Sequence, residues 1–276
     1  MVLGGDERKR SESFSDAKGV AVSICHPRRN IRSNSSCCFT PHGPPPDRPD
    51  LAIYSQDEQF ASGNTPTWDS PDILTNFWNP FQLMPETQVT IRNLSPTATA
   101  ANTQVFFYTA TFGIGQPRTL LGSQIITLGP SQQVALAFPL PQAVLNAAEQ
   151  RIAVHTKIVH PYDVKAINNE GAQLLADAYT SQSGRSFTMN FPVVNPIAAN
   201  QQITLVVLPN QVSASVSPAS NVFGPLQQLT GVLTVHVPNT IHGSPAAPVR
   251  CDVTVVGRDA AGKLLDGLTC VVWVDN

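Results

Sequence analysis

The chain has 276 residues, a length comfortable for two domains of ordinary size. Only 13% of them are charged, about half the usual share, and a formal net charge of −2 argues against nucleic acid or any other polyanion as partner. Gly and Pro, 17 and 24 residues without a three-residue period, exclude a collagen-like chain, and apolar stretches such as Val134–Leu140 are far too short for a membrane span.

The charge is unevenly placed. Eight of the 17 basic residues (Arg8, Lys9, Arg10, Lys18, Arg28, Arg29, Arg32 and Arg48) fall in the first fifty positions, with three of the five cysteines and Pro44-Pro45-Pro46. No apolar period of 2 or 3.6 runs through this stretch, so residues 1–49 read as a disordered leader. It does not read as a signal peptide. The apolar segment Gly19–Cys25 is short and runs into His26-Pro27-Arg28-Arg29 without a small-residue cleavage site.

From Asp50 onward the pattern is that of strands, rich in Val, Ile, Thr and aromatics and separated by Pro, Gly and Asn clusters. Strands are predicted at 51–54, 73–77, 88–92, 103–112, 123–128, 133–138, 152–159 and 186–191. A second series is predicted at 202–208, 211–216, 231–237, 249–257 and 267–274. One or two helical turns are predicted at 141–150 and another at 169–178. Helices do not alternate with strands, so the expected class is all-β: two immunoglobulin-like antiparallel sandwiches, residues 50–194 and 195–276, behind the leader.

In the final hairpin, Cys251, Val253 and Val255 share a face of one strand, and Leu268, Cys270, Val272 and Val274 share a face of the next. Asp259–Lys263 supplies the turn: a four-residue loop would put Cys251 opposite Cys270 and allow a disulfide, whereas a three-residue loop with a bulge would leave two buried thiols. Both alternatives stand at this point.

Trp68-Asp69-Ser70-Pro71-Asp72-Ile73 is the most distinctive local string. Asp69 and Asp72 are candidate ligands for a hard cation, weighed against a turn in which Asp69 and Ser70 bond local amides ahead of a strand. His155 and His160, five apart, point to opposite faces of a strand and suit no shared metal. Asn93-Leu94-Ser95 matches a glycosylation acceptor, and Gly113-Ile114-Gly115 reads as a turn. No nucleophile elbow, phosphate loop, zinc-protease helix or dinucleotide fingerprint is present, so no enzyme, metal or cofactor is expected.

Asp50-Leu51-Ala52-Ile53, Trp68–Ile73 and Val89-Thr90-Ile91-Arg92-Asn93-Leu94 resemble the opening of bacterial CARDB-like immunoglobulin-type modules. So do His160-Pro161-Tyr162-Asp163 and Asn168–Gln173 further on, and Phe191–Pro196 resembles the join to a second such domain. The resemblance covers about 50–276 and departs from the pattern at Leu94-Ser95, where a small residue and a glycine are expected. It implies a non-catalytic role in adhesion, spacing or assembly within bacterial extracellular proteins, with a protein or glycan surface as partner. A carbohydrate-binding module is the alternative, in which Trp68, Trp78 or Tyr108 would stack on sugar rings.

Overall fold

The computed structural model describes residues 47–78, 81–146, 151–208 and 211–275, and these form one compact unit. The expected leader lies outside the described residues except at its end. There Arg48 donates to the carbonyls of Tyr162 and Asp163, and the Pro49 carbonyl accepts from Val164 N.

The first series comprises β1 (Leu51–Ala52), α1 (Gln56–Ala61), β2 (Ile73–Trp78), β3 (Phe81–Asn93), β4 (Ala100–Thr111), β5 (Thr119–Leu128) and β6 (Gln133–Pro139). It continues with α2 (Gln142–Leu145), β7 (Ile152–Val159), a 3-10 turn at Ala166–Asn168 and β8 (Glu170–Ser181). β3 carries β1 and β2 on one side and β6 on the other; the facing layer runs β5-β4-β7-β8. Strict alternation makes this sandwich: Thr103, Val105, Phe107 and Thr109 of β4 are buried between the layers with Ile91, Val89 and Val154.

The second series is β9 (Ser186–Val194), β10 (Gln201–Leu208), β11 (Ser213–Ser217), β12 (Ser220–Phe223), β13 (Gln228–His236), β14 (Val249–Arg258) and β15 (Leu264–Val274). β11-β13-β9 packs over β12-β10-β14-β15, and Leu233, Val235, Val253, Val255, Leu268 and Val272 fill the space between.

The two sandwiches share a strand. Residues 170–174 of β8 pair antiparallel with β7, and from Leu175 to Ser181 the same strand pairs parallel with β15. One eight-stranded sheet, β12-β10-β14-β15-β8-β7-β4-β5, therefore runs through both. The helical turn predicted at 169–178 is this strand. Gly171-Ala172-Gln173-Leu174-Leu175-Ala176 has good helix formers, but tertiary pairing on both sides overrides that weak preference. The join expected at 194/195 falls at the end of β9, which belongs with β13 in the second sandwich, so the chain changes sandwich along β8.

Both sandwiches carry the same corner. The Asn93 amide at the end of β3 donates to the carbonyls of Ala98 and Gly129, and the Asn195 amide just after β9 donates to those of Ala199 and Gly224. Each glycine opens a Gly-Pro-x-Gln-Gln string, 129–133 and 224–228, whose first glutamine accepts from the glycine N–H. The third position has positive φ in both, 55° at Ser131 and 53° at Leu226. Asn93 is thus a buried bracket rather than a presented glycosylation acceptor.

The final turn is longer than the two weighed. Asp259–Lys263 makes a five-residue loop closed by Asp259, whose carboxylate accepts from Ala261 and Lys263 N, with Gly262 at φ 80°. A bulge follows at Leu265, so Cys251 faces Val272 and Cys270 faces Val253. No disulfide joins the two buried cysteines.

Candidate functional site

The junction is built from residues far apart in sequence. Trp68 is 1% exposed; its indole N–H donates to Asp266 Oδ1 at 3.1 Å, and its ring lies where a side chain on Gly267 would stand. Asp266 Oδ2 accepts from Gly115 N at 3.1 Å. Gly113-Ile114-Gly115 is more than a turn: Ile114 exchanges backbone hydrogen bonds with Pro192 and Val194 of β9. Gly113 and Gly115 have positive φ, and a Cβ on either would strike a β9 carbonyl, so only glycine brings the chain this close.

The two candidate cation ligands are both committed. Asp72 is bidentate to Arg92 at 2.5 and 2.6 Å and also accepts from Tyr54 N. Asp69 binds Arg250 and accepts from Gln173 Nε2 rather than from local amides. Arg250 reaches from β14 and also grips Asp252. Burial opposes its charge, yet these two carboxylates raise its pKa above the ordinary value. Asp69 therefore ties one sandwich to the other, and both aspartates are paired with arginines.

Beside Trp68 a small cleft opens between the sandwiches, lined by Asp57, Arg118, His155, Glu170 and Asp266 among others. Arg118 pairs with Glu170. His155 is 2% exposed and its Nδ1 has no hydrogen-bond partner. Burial, aided by the Arg118 charge, holds its pKa well below the ordinary value, so the ring is neutral at pH 7. Burial raises the Asp266 carboxyl despite three N–H donors, and burial followed by the Glu170 charge raises Asp57. Ser, Thr, Cys, Tyr and Lys are all missing from the cleft lining, and among the described residues no three His, Cys, Asp or Glu side chains cluster to hold a metal. The residues met here were illegible in sequence, because single acids on separate strands make no local pattern.

The aromatic candidates separate. Trp68 is sealed in the junction, which removes it from any stacking role, and the Trp78 side chain lies outside the described residues. Tyr108 is half-buried on the outer face of the β5-β4-β7-β8 layer, across from His155 on β7 and Leu120 on β5. Phe106 stands beside it, ring centroids 6.5 Å apart at 30°. The i, i+2 spacing on β4 was the available signal for this pair. His160 bonds the Ala101 carbonyl at the far end of the first sandwich, away from His155.

No helix among the described residues is long and apolar enough to cross a membrane. No protein-family model matches the sequence, and no curated protein does. Among solved structures, an MSP-domain-like protein of Caenorhabditis elegans, SSP-19, is 14% identical at a TM-score of 0.25, covering 36% of this chain and 94% of that one. Escherichia coli alpha-2-macroglobulin activated by porcine elastase is 10% identical at 0.28, over 83% of this chain and 22% of that one. CBD12 from CALX1.2 is 8% identical at 0.24, over 65% and 77%. At such scores the fold assignment rests on the strand pairings themselves.

Proposed function

We propose that this chain is a non-catalytic structural and protein-interaction module, a stiff arm of two immunoglobulin-like sandwiches that holds a contact surface at fixed orientation. The observation that carries the reading is the shared strand β8, because a sheet continuous through both sandwiches leaves no hinge at the join. The Asp69–Arg250 and Trp68–Asp266 links brace the same join from one side. The CARDB-like motifs add adhesion, spacing or assembly at a bacterial surface as the setting. Residual dipolar couplings from the two sandwiches should fit a single alignment tensor; two tensors would overturn the stiff-arm reading. A hydrolase screen whose turnover disappears in His155→Gln would overturn the non-catalytic one.

A second reading, glycan binding, draws on the Phe106–Tyr108 pair, which offers two neighbouring rings beside the polar side chains of Lys157 and Glu170. Binding on a glycan array that falls in Tyr108→Ala would favour it. An unchanged array would leave the aromatic pair to protein contact.

A further inference from the structure

One flank of the first sandwich combines an uncharged surface with a long terminal strand. β5 is the terminal strand of the eight-stranded sheet, and β6, which pairs only with β3, closes the opposite layer on the same side. Gln124 Nε2 of β5 reaches the Ala137 carbonyl of β6 at 3.1 Å, and Gly122 lies under the Phe138 ring, so the two edges run close together. From Thr119 to Asn146 there is no Lys, Arg, His, Asp or Glu. The half-buried apolar residues around the first core are Leu121, Ile126, Val134, Phe138, Val144 and Leu145, all from this same stretch. The core is therefore least closed where the surface is uncharged. Leu120 and Ile125 add outward apolar surface at 52% and 66% exposure.

Exposed strand edges are ordinarily blunted by charge, proline or shortness. β12, at the other end of the sheet, is only four residues long. β5 has ten residues, no charge and no proline, and its central run Gly122–Ile126 pairs regularly with β4. Its outer backbone groups call for another extended strand.

We propose that the strand is β5 of a second copy, laid antiparallel across a two-fold axis, so that the sheet continues from one protomer into the other. A two-fold axis sets this flank against itself, and an uncharged flank meets no like-charge cost in doing so. Its extent suffices as well. Ten strand residues at about 3.3 Å each and a sandwich about 20 Å thick give roughly 600 Å² per copy, near the lower limit for a stable specific interface. A partner selected by charge finds nothing here to select on.

Sedimentation equilibrium of the full chain, with reductant present, tests this directly. The expected result is a monomer–dimer equilibrium weakened by roughly tenfold or more in Ile125→Lys, which sets two ammonium groups near the axis, and unchanged in Val222→Lys on β12. Hydrogen exchange of the Gly122–Ile126 amides should slow as protein concentration rises, which keeps the test valid if the lysine variant folds poorly. A chain that stays monomeric up to about 100 μM would overturn the proposal. So would a dimer equally sensitive to both variants, or one whose β5 amides exchange independently of concentration.

Discussion

The indole N–H of Trp68 and the carboxylate of Asp266 meet at 3.1 Å across the line where the two sandwiches join. Trp68 precedes the first sandwich's long strands, whereas Asp266 opens the last strand of the second. Trp68→Ala should cost about 3–5 kcal/mol in chemical denaturation, since it empties a fully buried site and removes a donor from a buried acid. Trp68→Phe keeps most of the ring and isolates the hydrogen bond, at about 1–3 kcal/mol. A negligible loss in Trp68→Phe would mean that the N–H contributes nothing.

His155 and Asp266 line one cleft with Arg118, Asp57 and Glu170, and their titrations have opposite signs. The folded pKa of His155 lies well below its ordinary 6.5, so the unfolded chain binds the extra proton and stability falls as pH drops below 6.5. Asp266 is raised above 3.8, so its contribution is full below that value and lost as pH climbs through its folded pKa. Between pH 6.5 and 5, denaturation curves should show stability dropping by up to about 1.4 kcal/mol per pH unit from His155. His155→Gln should flatten that slope; an unchanged slope would show that the ring is not held neutral.

Asn93 and Asn195 hold equivalent corners, each with an amide spanning two separated carbonyls and an oxygen accepting from a nearby N–H. Asn93→Ala and Asn195→Ala should each destabilise by about 2–4 kcal/mol, because buried carbonyls lose their donor. The rigid join predicts one cooperative thermal transition for both variants. Two separated transitions would show that the sandwiches unfold independently.

Asp72 and Arg92 form a pair in which the acid is buried and the guanidinium is partly exposed. Arg92→Ala should cost about 2 kcal/mol, less than a fully buried pair because solvent reaches the arginine side. With both Asp69 and Asp72 held by arginines, adding calcium or EDTA should move the melting temperature by less than about 1 °C, a shift expected only for a real ligand. A clear calcium-dependent rise would restore the cation reading.

Cys251 and Cys270 are both nearly inaccessible, and burial followed by the Asp252 charge raises the Cys251 thiol above its ordinary value. Alkylation of the folded chain followed by peptide mass mapping should leave both unlabelled, and unfolding should release both. A native disulfide-linked peptide containing the pair would contradict the hairpin register.

Much of the architecture was legible because strand alternation is a local property. The span of β7 was readable to the residue, and β14, β10 and β6 to within a residue or two, since each is a run rich in β-branched residues bounded by turn residues. The repeated Gly-Pro-x-Gln-Gln string was also present and marks the two corners. β8 was not legible: its residues favour a helix, and what makes it a strand is pairing with β7 and with β15, almost a hundred positions away. The turn at Gly113–Gly115 looked ordinary because its role depends on β9 carbonyls that no local pattern reveals.

By itself the sequence determined an all-β chain with a weakly charged folded part, because period-2 burial and turn residues act over short distances. Only the tertiary structure decided that the two sandwiches share one sheet, that Trp68, Asp69 and Asp72 pair with Asp266, Arg250 and Arg92, and that the uncharged stretch 119–146 lies along one flank. Each of those depends on contacts between residues distant in the chain, and such contacts are set by packing and hydrogen-bond satisfaction rather than by neighbours in sequence.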